Sequence, residues 1–301
     1  MQVLYFLEKI RFPLLDELML LITRFGEETA FLVAALVIFW CVDKKRGYYL
    51  LGVGLGGTVL NQFLKLLFKV PRPWVLDPNF EPIPGSKEAA SGYSFPSGHS
   101  QSAVGTFGAL AYTGKNKPLR WVFVAICLLV PFSRMYLGVH TPADVLVGSA
   151  CAVALIFGLR FMNDGRHIRN VFLVLIGVAI AFFVYVQFLC DPEKLDPHNY
   201  ESALKNAYML LGTLFGMLVV HYADEKWVHF EVRACWWAQI LKVCGGVALV
   251  LLVKEGLKAP FNALFGVYPG RAVRYFLIVL AAGILWPMTF RWFGTIGKKE
   301  K

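Results

Sequence analysis

The chain has 301 residues, 57% of them hydrophobic and 17% charged, with a mean hydropathy of +0.57. A soluble domain carries about 25% charged residues, so this composition excludes an ordinary water-soluble fold. The net charge of +10 comes without any basic, aromatic-interleaved stretch, which argues for basic turns beside a membrane and against a nucleic-acid partner. The six cysteines, at 41, 127, 151, 190, 235 and 244, form no CxxC pair and read as small apolar residues, neither disulfides nor zinc ligands.

Residues 3–25 place Leu7, Ile10, Leu14, Leu18, Leu21 and Phe25 at helical spacing, as in an amphipathic helix lying in the interface. Glu8, Lys9, Arg11, Asp16 and Glu17 interrupt this stretch, so it does not read as a cleavable signal. Nine apolar spans follow, near 28–42, 47–69, 97–113, 119–138, 142–162, 170–190, 205–222, 238–257 and 271–290. The expectation is an all-α fold: a polytopic membrane helix bundle of about nine transmembrane helices plus an N-terminal interfacial helix. Its parts are an amphipathic segment at 1–27, a core at 28–165 and additional transmembrane helices at 166–301.

The connections Asp43–Arg46, Gly114–Arg120, Arg160–Arg169 and Ala223–Arg233 and the tail Arg291–Lys301 are basic, which assigns their face to the cytoplasm. The opposite face carries the connection Val70–Phe95, where prolines at 71, 73, 78, 82 and 84 forbid a continuous helix or strand. A loop of that length suits a lid.

Ionisable groups at the ends of membrane spans need a reason to be there. Lys65 and Arg72 close the second span, Ser97 and His99 open the third, Arg134 closes the fourth, and His140 and Asp144 open the fifth. Parity therefore brings all four helix ends to one face. Three cations and two histidines suit a ligand with several anionic oxygens, and phosphate fits best. Arg72 and Arg134 offer bidentate forks, and Lys65 a compact charge. Ser97 reads as a helix N-cap, with Gly98 clearing the space where backbone N–H groups approach an anion. Thr141 and Pro142 likewise open a helix. Asp144 then either serves a capping box or holds the His140 ring in one tautomer.

Lys65-x6-Arg72-Pro73, Pro96-Ser97-Gly98-His99 and Ser133-Arg134-x5-His140-x3-Asp144 together resemble the three-part signature of the type 2 phosphatidic acid phosphatase superfamily. That superfamily also includes vanadium haloperoxidases and glucose-6-phosphatase, and the likeness covers roughly residues 28–162. It implies that His140 attacks phosphorus with Asp144 orienting it, and that His99 protonates the leaving oxygen. Lys65, Arg72, Ser97, Gly98 and Arg134 would bind the phosphoryl group. No metal and no cofactor is expected, since the donors take the part usually given to magnesium.

The implied substrate is a lipid phosphate monoester or diphosphate: phosphatidate, phosphatidylglycerol phosphate, polyprenyl diphosphate or a sphingoid phosphate. The expected place is a bacterial plasma membrane, with the site on the extracytoplasmic face and membrane lipids as neighbours. A soluble sugar phosphate, as for glucose-6-phosphatase, is the alternative substrate. A transporter or binding protein that kept the pocket is the alternative outside enzymes. The spans after residue 165 serve either stability and homodimer contact or the wall of an entry groove. Because His99 and His140 must begin turnover in opposite protonation states, the sequence predicts a bell-shaped pH–rate profile. A rate that stays flat between about pH 5 and 8 would contradict the pairing.

Overall fold

The computed structural model describes residues 1–88, 90 and 92–295. Every regular element among them is helical. Of the expected cytoplasmic tail, residues 296–301 lie outside the described residues, as do Ala89 and Ser91 of the long loop.

The amphipathic start is two helices, α1 (Gln2–Glu8) and α2 (Pro13–Ile22), where the periodicity predicts one. Pro13 causes the break, because its ring cannot continue a helix yet suits the first position of a new one. Helix α3 (Glu28–Val37) runs on through a π turn at Ile38–Val42, and α4 (Lys44–Phe68) is 25 residues long. A single turn, α5 (Pro73–Leu76), stands in the long loop. Then come α6 (Gly98–Thr113), α7 (Lys117–Tyr136) and α8 (Pro142–Gly158). The remainder holds α9 (Ile168–Val184), α10 (Pro197–Ala223), α11 (Trp236–Gly256), α12 (Lys258–Phe265) and α13 (Val267–Leu280).

Among the described residues six helices are long and apolar enough to cross a membrane, or seven if Pro13–Gly26 and Glu28–Val42, bent by 52°, make one span. The nine expected spans are not reached by this measure. Those predicted at 97–113 and 142–162 are α6 and α8, of 16 and 17 residues. At about 1.5 Å per residue each is roughly 25 Å long, less than the hydrocarbon core of about 30 Å. Both have one end committed to a capped N-terminus instead of further apolar turns.

The chain forms two compact units. One comprises Met1–Ala34, Leu50–Arg160 and Asp191–Ala203. Here α6 packs on α7 and α8, around Ala103, Phe107 and Val130. A second cluster, with Met19, Ile83, Tyr136, Leu137 and Val139 buried together, joins the N-terminal helices to the long loop and to the end of α7. Polar contacts reinforce it. Arg11 donates to the carbonyls of Glu81 and Tyr136, Tyr5 to Asp77, and Tyr136 to Asp16. Of the charges that interrupt the N-terminal apolar stripe, Arg11 and Asp16 thus make tertiary contacts.

The other unit comprises Ala35–Tyr49, Phe161–Cys190 and Leu204–Lys301. Buried polar contacts within it include the pairing of Lys44 with Asp224 at 2.8 Å and the donation of the Trp40 indole to the Ala282 carbonyl.

One close approach fixes the relation of α6 to α8. A Cβ on Gly148 would stand 2.6 Å from the Ser97 carbonyl oxygen, whereas one on Gly177 would meet nothing within 4 Å. Gly148→Ala is therefore expected to destabilise the protein by about 1–3 kcal/mol through overpacking. Gly177→Ala should be neutral or stabilising by about 0.5–1 kcal/mol. Thermal unfolding of both variants in one detergent checks this. Equal midpoints would show that the contact at Ser97 does not matter.

Candidate active site

Within the first unit the sequence-predicted residues converge. Lys65 lies in the last turn of α4, and Arg72 at the N-cap of α5. Arg134 occupies the last turn of α7, and His140 precedes the N-cap of α8. Lys65, Arg72, Arg134, His99 and His140 all lie within electrostatic range of one another. Arg72, Arg134, His140 and Asp144 are at most 7% exposed, and Ser97 is fully buried.

Both helix starts form as the residue types require. The Ser97 hydroxyl accepts the Ser100 N–H at 3.4 Å and the Ser100 hydroxyl at 2.9 Å. The Ser97 N–H donates to the Asp144 carbonyl at 3.0 Å, which locks the N-termini of α6 and α8 side by side. A Cβ on Gly98 would touch only the Asn61 Oδ1, at 3.6 Å. Packing therefore does not demand glycine there, and the space over the first turn of α6 is clear. Thr141 and Asp144 form a complete capping box.

The two readings of Asp144 left open by the sequence coexist. Its Oδ2 accepts the Thr141 N–H at 2.7 Å and the Ser94 hydroxyl at 2.5 Å, and lies 3.4 Å from Nδ1 of His140. The capping box thus aims the carboxylate at the imidazole. Nδ1–H toward Asp144 leaves Nε2 with its lone pair, and Nε2 sits 3.0 Å from Nη1 of Arg72. Burial first, and then the charges of Arg72, Arg134 and Lys65, push the His140 pKa well below its ordinary value. The ring is therefore neutral at physiological pH and able to act as a nucleophile.

The cations are held by backbone oxygens. Lys65 donates to the Tyr93 carbonyl at 2.5 Å, and Arg72 to the carbonyls of Gly92 at 2.8 Å and Val139 at 3.0 Å. Arg134 donates to the Thr23 hydroxyl at 2.9 Å, while its Nε is buried without a partner. Among the described residues no carboxylate lies within ion-pair distance of Lys65 or Arg134. The His99 ring makes no hydrogen bond to a described residue. The pocket thus keeps surplus positive charge and unused donors, which suits a multiply charged anion.

Sequence reasoning missed several supporting residues. Ser94, fully buried, touches both Asp144 and His140, at 2.5 and 3.3 Å. Asn199 accepts the Tyr93 N–H at 2.7 Å and is itself steadied by Asp196. Gly92 has a φ of +77° and no room for a Cβ beside Asn199, so only glycine fits that turn. Asn61 donates to the Pro96 carbonyl and to Gln101, tying α4 to the start of α6. Thr23 joins the N-terminal segment to Arg134. Polar identity was the only signal that Ser94, Asn199, Asn61 and Thr23 gave.

Comparison with known proteins gives the family. The sequence profile of the PAP2 superfamily matches residues 45–166, and that of the PAP2 superfamily phosphatase transmembrane extension matches residues 208–299. An undecaprenyl-diphosphatase of Bacillus subtilis is 31% identical, over 52% of this chain and 77% of that protein. A phosphatidylglycerophosphatase B of the same organism is 34% identical, over 52% of this chain and 78% of its own length. The glucose-6-phosphatase catalytic subunit 1 of Bos taurus is 26% identical, over 88% of this chain and 86% of the relative. No solved structure matches the chain. The chain therefore belongs to the PAP2 superfamily, as an integral-membrane phosphatase with that family's transmembrane extension.

Proposed function

We propose that this phosphatase removes a phosphoryl group from a lipid phosphate monoester or diphosphate at the extracytoplasmic face, through a phosphohistidine and without a metal. The observation that carries the reading is the buried cluster of Lys65, Arg72 and Arg134, whose nearby carboxylate, Asp144, is already engaged by Ser94, Thr141 and His140. Such a pocket is balanced only by a ligand bringing at least two negative charges.

Nε2 of His140 attacks phosphorus in line, forming the P–N bond as the P–O bond to the lipid breaks. His99, once the substrate's negative charge offsets the neighbouring cations and lets the ring take up a proton, gives that proton to the departing oxygen, then takes one from water. The resulting hydroxide attacks the phosphohistidine, releasing phosphate and restoring neutral His140. Asp144 holds the ring through Nδ1, and Ser94 holds Asp144. Arg72 must turn part of its fork from Nε2 to the phosphoryl oxygens as substrate enters. Lys65, Arg134, the Ser97 hydroxyl and the Gly98 N–H take up the remaining charge as it builds in the transition state.

A lipid is favoured because the undecaprenyl-diphosphatase and phosphatidylglycerophosphatase relatives are named for lipid substrates. The short α6 and α8 support this reading, in which a site at their N-termini would meet the headgroup while acyl chains stay in the bilayer. A bacterial plasma membrane is the setting these relatives favour. A soluble sugar phosphate is the second reading, favoured by the long alignment to glucose-6-phosphatase.

Phosphate release from a panel of lipid and sugar phosphates, measured with the full chain in EDTA, tests the proposal. Turnover of one or more lipid phosphates is expected, with His140→Ala slower by at least about a thousandfold. Release from glucose 6-phosphate alone would select the second reading. Equal rates for His140→Ala, or loss of turnover in EDTA, would defeat the mechanism.

A further inference from the structure

The transmembrane extension contains a second set of cations with unused donors. Helix α13 carries Arg271 and Arg274 inside the apolar span Val267–Met288. Arg274 is 5% exposed. Its Nε and Nη1 are buried without a hydrogen-bond partner, as is the Nε of Arg271. Among the described residues no carboxylate pairs with either arginine. Their common neighbour is the Tyr275 ring, 5.4 Å from the Arg271 guanidinium carbon and 5.8 Å from that of Arg274. A ring face attracts a cation but gives its N–H groups no proper acceptor.

Unsatisfied guanidinium groups in an apolar span carry a large desolvation cost, and such residues mark a ligand or a water-filled path. The surroundings distinguish this pair from the buried Lys242 of the same unit. The Lys242 ammonium donates to the Val232 carbonyl at 3.0 Å and covers Phe290, so it is internally satisfied. Arg271 and Arg274 are one turn apart and share a helix face. They stand roughly 6 and 10 Å along the helix from its start at Val267. Tyr268, one turn before Arg271, stacks on Tyr208 of α10 with ring centroids 6.0 Å apart, giving that face a firm wall.

We propose that Arg271 and Arg274 bind a phosphate-bearing anion within the transmembrane extension, using none of the residues of the catalytic cluster. A carboxylate has two oxygens and is filled by a single fork. A tetrahedral phosphate can accept from two forks at once, and two forks a turn apart are what the helix presents. The phosphate can belong to an anionic lipid headgroup or be free in solution, and the test separates these sources.

Binding is read without turnover, so the result stands apart from the catalytic mechanism. Full-length protein in neutral detergent is compared with Arg271→Gln/Arg274→Gln and with Arg274→Lys, all with an intact catalytic cluster that contributes equally. One arm measures equilibrium binding of radiolabelled inorganic phosphate. The other measures retention of phosphatidylglycerol against phosphatidylcholine by native mass spectrometry. In one arm the double variant is expected to lose the binding that exceeds the catalytic cluster's own share, with that component at least tenfold weaker. The phosphate arm would identify a free anion, and the lipid arm a headgroup. Arg274→Lys keeps the charge and loses the fork, so it should also weaken binding, and it serves as the comparison if the double variant does not fold. Indistinguishable binding by all three proteins in both arms would overturn the proposal and leave water as the occupant.

Discussion

Everything in the catalytic unit turns on one electrostatic constraint: three cations and a neutral imidazole are gathered where burial makes charge expensive. Lys65, Arg72 and Arg134 repel one another there. The fold does not answer with matching carboxylates, which would neutralise the pocket before a ligand arrived. It answers with backbone carbonyls and a threonine hydroxyl, which satisfy some of the N–H donors and leave net charge available. Dipoles hold the cations in place, and only an anion completes the balance.

That arrangement explains why the loop before α6 matters. Three consecutive residues each hold a different member of the site: the Gly92 carbonyl takes Arg72, the Tyr93 carbonyl takes Lys65, and the Ser94 hydroxyl takes Asp144. Asn199 fixes this triplet through the Tyr93 N–H, from a segment more than a hundred residues away in sequence. A small shift of the loop would therefore disturb both cations and the Asp144–His140 pair together. Coupling of this kind gives a site that is either assembled or not, which suits chemistry needing in-line geometry at phosphorus.

The sequence disclosed the site better than its supports, for physical reasons. Helix parity depends only on counting apolar blocks between Lys65, Ser97, Arg134 and His140, so it does not rest on the total number of spans. The capping box at Thr141–Asp144 is a local pattern and was legible as such. Ser94, Asn199, Thr23 and Asn61 act across long sequence separations, where no period or cap announces them. The count of nine spans is left unconfirmed where helices are short or bent. Helices α6 and α8 stop before a full bilayer thickness, and α2 and α3 meet at an angle. Likewise, the N-terminal periodicity is real, but Pro13 divides it, and Arg11 serves the carbonyls of Glu81 and Tyr136 rather than water.

The central claim is that surplus buried charge exists to place phosphorus in front of Nε2 of His140. Trapping the enzyme in mid-turnover tests it most directly. Rapid quenching of the full chain with a radiolabelled lipid phosphate should leave label on the protein that is stable in alkali and lost in acid, on the peptide containing His140. The same quench with His140→Ala should leave none. Label on another residue, or turnover of substrate with no labelled protein at any time, would contradict the account.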